Sequence, residues 1–111
     1  MNVILNEYPE KIQIVINKPT VKQVTDTALT ITNMLKEFKE SGQWTTIVVG
    51  VDSLPNIGIV MKAVAKLLSV KPLIDSTVQH TYMYVNGEEN KTLLQRIAAM
   101  NQSTNITFLS K

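Results

Sequence analysis

An α/β fold is what the sequence predicts: a five-stranded, mixed, mostly parallel sheet with helices on both faces, in the order β-β-α-β-α-β-α-β. Three observations predict it. Apolar side chains switch repeatedly between a spacing of two and a spacing of three or four along the 111 residues. Pro, Gly and Asn fall where one spacing gives way to the other. Successive strands separated by helices read as βαβ units, which give parallel neighbours through right-handed crossovers.

Residues 3–8 and Lys11–Asn17 are short and rich in β-branched types, and Pro9-Glu10 suits the turn of an antiparallel hairpin between them. Ile12, Ile14 and Ile16 put one fully apolar face on the second arm. Thr20 then suits a helix N-cap, with Gln23 in capping-box position. Val21, Val24, Ala28, Ile31, Leu35 and Phe38 make its apolar stripe, and Gly42 its stop. Residues 44–51 carry the near-continuous run Ile47, Val48, Val49, Val51, as expected of a central strand covered on both faces. Pro55 suits the first turn of a second helix, whose stripe is Ile57, Val60, Met61, Val64, Leu67 and Leu68, with Lys62 and Lys66 on the other side. Pro72 is expected to end that segment. Val78–Val85 is the fourth strand. Asn86-Gly87 could close a hairpin, but Glu88 and Glu89 favour a helix start, and Leu93, Leu94 and Ile97 continue it. Residues 106–109 form the last strand. Residues 1–111 thus read as one domain, large enough to hold together without a disulfide or metal.

Composition excludes several classes of function. The net charge of +2 comes from 11 basic residues scattered among 9 acidic ones, which does not suit nucleic acid. There is no cysteine, so thiolate catalysis and Cys-ligated zinc are excluded. The single histidine, His80, cannot by itself build a histidine-rich metal site, and no Ser-His-Asp arrangement is visible around it. Gly42, Gly50, Gly58 and Gly87 are too dispersed for a phosphate-cradling loop. Glu88 and Glu89 are adjacent and point apart on a helix, so they share no acid–base site. Met34, Met61 and Met100 lie on or near apolar stripes and read as core filler. No apolar stretch spans a membrane and no signal leader is visible, so a soluble, cytoplasmic protein is expected. No cofactor is implied.

One position stands out. Asp52 and Ser53 follow the central strand at its carboxyl end, where open α/β sheets bind ligands, and the next helix N-terminus could hold an anion. The competing role for Asp52 or Ser53 is to cap that loop and helix. Asp75-Ser76 precedes a strand and suits a ligand less.

The element order, and residues 47–64 above all, resemble the STAS domain, the anti-sigma-factor antagonist family. Thr46-Ile47-Val48-Val49-Gly50-Val51-Asp52 matches that family's aliphatic strand ending in an acidic residue. Asn56-Ile57-Gly58-Ile59-Val60 lies where its helix opens with an Asp-Ser-Ser-Gly-like motif. The family's phosphorylatable serine falls near Asn56, which cannot be phosphorylated, and Ser53 is the nearest hydroxyl. The resemblance therefore implies a STAS-like interaction domain without the usual switch. It would bind a protein partner, or itself, through Asp52, Ser53, Asn56, Ile57 and Gly58 together with Lys62 and Lys66. The alternatives are a small-anion or nucleotide site at the same sheet edge, with or without enzymatic activity, and a structural subunit that pairs through an edge strand.

Overall fold

The structure is a computed structural model and describes residues 1–111. Its elements are β1 (Asn2–Ile4), β2 (Lys11–Asn17), α1 (Val21–Ser41), β3 (Thr45–Ser53), α2 (Ile57–Ser69), α3 (Lys71–Thr77), β4 (Val78–Val85), α4 (Glu88–Met100) and β5 (Ile106–Ser110). The five strands form one sheet in the order β1-β2-β3-β4-β5. β1 runs antiparallel to β2 and the other three pairings are parallel. The predicted class and strand directions therefore stand.

Local chemistry sets the element ends. Thr20 and Gln23 close a reciprocal capping box at the start of α1, with Gln23 N donating to Thr20 Oγ1 at 3.2 Å and Thr20 N donating to Gln23 Oε1 at 3.0 Å. Gly42 ends α1 in the left-handed region at φ 70°. The first strand is shorter than the sequence suggests. Residues 5–10 turn out of the ladder, with Tyr8 N donating to the Leu5 carbonyl at 3.2 Å and Lys11 N to the Glu7 carbonyl at 3.0 Å. There Tyr8 meets Phe38 in a tilted ring contact, centroids 5.6 Å apart, and Glu7 pairs with Lys11 at 2.8 Å.

Pro72 does not end the helical segment after α2. It sits in the first turn of α3, where a missing N–H costs nothing. This short helix was not evident in the sequence, yet it sends Leu73 and Ile74 to the core cluster. α3 packs on α1 and β4, whereas the main packing partner of α2 is α1. The stripe expected to bury α2 is therefore largely outside: only Val60 is buried, and Ile57, Met61, Leu67 and Leu68 are 42–56% exposed. Met61 and Met100 are surface residues, while Met34 does pack against the core.

The helices do not cover both faces. Register places Ile12, Ile47 and Thr81 side by side, then Ile14, Val49, Met83 and Phe108, then Ile16, Val51 and Val85. This face holds every buried strand side chain and meets Ile31, Met34, Leu35 and Phe38 of α1, Leu73 and Ile74 of α3 and Leu94 of α4. The physical reason is directional. The chain steps through the sheet one way, from β2 to β5, and right-handed crossovers taken in one direction put every helix on the same side. The apolar run in β3 is accordingly not covered twice: Thr45, Ile47, Val49 and Val51 are buried, and Thr46, Val48 and Gly50 between them are not.

Candidate functional site

The carboxyl edge of the sheet gathers the ends of β2, β3, β4 and β5, so residues far apart in sequence meet there. Asp52 Oδ1 accepts from Lys111 Nζ in an ion pair whose side chains are each about two-fifths exposed. The Lys111 ammonium lies over Gly50, where a Cβ would stand 3.6 Å from its nitrogen. Ser53 Oγ donates to Asn17 Oδ1 at 2.6 Å. Asn86 Nδ2 donates to the Asp52 carbonyl at 3.3 Å, and the Asn86 amide donates to the Val51 carbonyl at 2.9 Å. On the β5 side, Lys91 Nζ donates to Ser110 Oγ, and Ser110 Oγ donates to Glu88 Oε1, each at 3.2 Å.

Asn56 is the N-cap of α2, its Oδ1 accepting from Ile59 N at 3.1 Å. Pro55 accordingly lies one residue before the cap, not in the first turn. Gly58 fits beneath this cap, since a Cβ there would approach Asn56 Oδ1 to 3.3 Å. The edge residues singled out from sequence are thus brought together, and each polar side chain among them has a partner within the chain. Asp52 has an ammonium, Ser53 an amide oxygen and Asn56 a backbone N–H. Asp75 and Ser76 lie in α3, where Asp75 pairs with Lys71 at 2.9 Å and Ser76 Oγ donates to the Leu73 carbonyl at 3.0 Å. His80 contacts Thr107 Oγ1 through Nε2 at 2.7 Å and meets the Tyr82 ring in a tilted contact with centroids 4.6 Å apart. No three His, Asp or Glu side chains converge in the geometry of a metal site.

The second group of predicted residues lies elsewhere. Lys62 and Lys66 are one turn apart on α2, exposed, and in no ion pair. They flank a groove of about 370 Å³ between α2 and the start of α1, whose walls include Val21, Val24, Thr25, Ile59 and Ala65. Ile57 opens α2 beside the edge loop and is 56% exposed. From there Met61 and Leu68 follow at helical spacing and extend an apolar stripe along the outside of the helix.

Sequence reasoning did not find Asn17, Asn86 and Lys111 as edge partners, because they become neighbours only through the parallel register. It also did not find the outer face of the sheet, where Tyr82 and Tyr84 are 37% and 40% exposed. The alternation of Tyr82 and Tyr84 with Met83 was its one local signal. No helix is long and apolar enough to cross a membrane. No protein family, curated protein or solved structure matches this chain.

Proposed function

We propose that this chain is a non-catalytic protein-binding module of STAS-like architecture, and that α2 presents its docking surface. One observation carries the reading: Ile57, Met61, Leu67 and Leu68 stay exposed on a helix that otherwise has few polar side chains, and two unpaired lysines flank them. Clustered exposed apolar side chains rimmed by charge are how soluble domains present interaction sites. The partner would bury the apolar stripe and place carboxylates against Lys62 and Lys66. The carboxyl edge supports this surface from below. The Asn56 cap fixes where α2 begins, and Asp52 with Lys111 and Ser53 with Asn17 hold the preceding loop. With Asn in place of a phosphorylatable serine at that cap, docking here is constitutive.

The test is affinity capture from the source organism's extract, comparing wild type, Met61→Glu/Leu68→Glu and Asp52→Ala. Wild type and Asp52→Ala are expected to retain the same partner, and the double variant to lose it with its helical circular dichroism intact. Equal retention by all three would contradict the α2 surface. The competing anion or nucleotide reading is tested by thermal shift. A ligand at 100 times its dissociation constant stabilises by about 2.7 kcal/mol, and no shift is expected with nucleotides or phosphorylated metabolites.

A further inference from the structure

The outer face of the sheet is a second surface, independent of α2. Register sets Ile4, Gln13, Val48, Tyr82 and Thr107 in one row, and Asn2, Val15, Gly50, Tyr84 and Leu109 in the next. None of these side chains is buried, and none belongs to the core cluster. Parallel sheets occur almost only with both faces covered, because their strands are apolar on both sides. Here one side of β2 to β5 lies bare.

We infer that this face is covered by a second copy of the same chain, stacked sheet on sheet across a twofold axis. Charge and hydrogen-bonding chemistry choose that occupant. A twofold interface sets each patch against itself, so it tolerates only groups that can meet their own kind. The two central rows contain no charged residue. The charges nearest them are already neutralised within the chain: Lys11 at the margin by Glu7, and the Lys111 ammonium, which lies over Gly50, by Asp52. Two such faces therefore meet without like-charge repulsion. The polar groups are self-complementary too. A tyrosine hydroxyl and a glutamine amide each both donate and accept, and Tyr82, Tyr84 and Gln13 make no side-chain hydrogen bond within the chain. Tyrosine with aliphatic neighbours and no charge is the composition of an interface centre.

Size sets the strength. Strands about 4.8 Å apart and about 3.3 Å per residue give the face a flat footprint on the order of 500 Å². A standard interface buries roughly 800 Å² on each partner. The dimer is accordingly weak and reversible, with the two sheets about 10 Å apart.

Sedimentation equilibrium of the full chain across a concentration series tests this. Wild type is expected to rise from 12.4 kDa towards twice that mass as concentration increases. Tyr84→Lys is expected to weaken association by about tenfold or more, and Met61→Glu on α2 to leave it unchanged. A wild-type mass that stays monomeric up to millimolar concentration would overturn the inference. So would a dimer that survives Tyr84→Lys, or one that Met61→Glu dissolves. Should Tyr84→Lys fail to fold, acetylation of wild-type tyrosines at low and high concentration decides the matter. Tyr82 and Tyr84 are expected to be protected at high concentration while Tyr8 is not, and equal labelling of all three would contradict the stacked dimer. Because Met61→Glu/Leu68→Glu tests the α2 surface separately, the failure of either proposal leaves the other standing.

Discussion

Thr20, Gly42, Lys22 and Asp52 illustrate how much single side chains contribute. Thr20 satisfies an N–H that α1 leaves without an internal partner, so Thr20→Ala is expected to cost about 1 kcal/mol. That is a fall of roughly 4 °C or more in melting temperature by calorimetry. Gly42 has no atom within contact distance of an added Cβ, yet its positive φ penalises any side chain. Gly42→Ala is therefore expected to destabilise by about 1 kcal/mol through backbone conformation alone. Lys22 donates to Asp26 at 2.8 Å, and that hydrogen bond, followed by the carboxylate charge, raises the lysine above its ordinary 10.5. A raised folded value means that the stabilisation is whole at neutral pH and is lost only as pH climbs past the ordinary lysine value. Helicity of wild type relative to Lys22→Gln should thus stay level from pH 7 to about 9 and converge only at higher pH. The Asp52–Lys111 pair is half in water, so Asp52→Asn should cost less than about 1 kcal/mol in urea unfolding. A larger loss would mean that the edge is a structural keystone and not a mere support for α2.

At the level of elements, α2 and α3 show what sequence pattern does and does not specify. The period of three and four identifies α2 but not the layer in which it lies. Its stripe of Ile57, Val60, Met61, Val64, Leu67 and Leu68 is apolar enough for a core helix, yet α3 holds the place against β4 and leaves α2 outside. The seven residues of α3 are too few to show a period, and Pro72 reads as a terminator unless the segment beyond it is known to be helical. The capping box, Gly42, β4 and the Glu88–Glu89 helix start were legible because each depends on residues adjacent in sequence. The partners Asn17–Ser53 and Asp52–Lys111 were not, because strand register creates them. The difference between layers has an energetic signature. Leu35, 1% exposed in α1, should lose about 2–5 kcal/mol on substitution by alanine. Leu68→Ser in α2 should change stability by no more than about 0.5 kcal/mol in the same denaturation assay. A large loss at Leu68 would show that α2 is a core helix and would remove the basis for docking there.

For the molecule as a whole, strand order decides which surfaces remain for binding. Helices on both faces would require the chain to reverse its direction of travel across the sheet, and this chain never does. The consequence is a two-layer protein with 13 of 111 residues buried and two unsheltered apolar surfaces, one on α2 and one on the sheet. The run Ile47-Val48-Val49 reads in sequence as a strand enclosed on both sides, and that reading is chemically sound if a second copy completes the enclosure. One-sided coverage by helices is therefore the central claim about the fold, and the proposed sheet surface rests on it. Solution NMR of the dilute, monomeric chain with a soluble paramagnetic probe measures it directly. The account predicts strong broadening of Val15, Val48, Tyr82, Tyr84 and Leu109, with Ile12, Val49, Val51 and Val85 spared. Equal protection of Val48 and Val49 would contradict it, because it would place a helix over each face of β3.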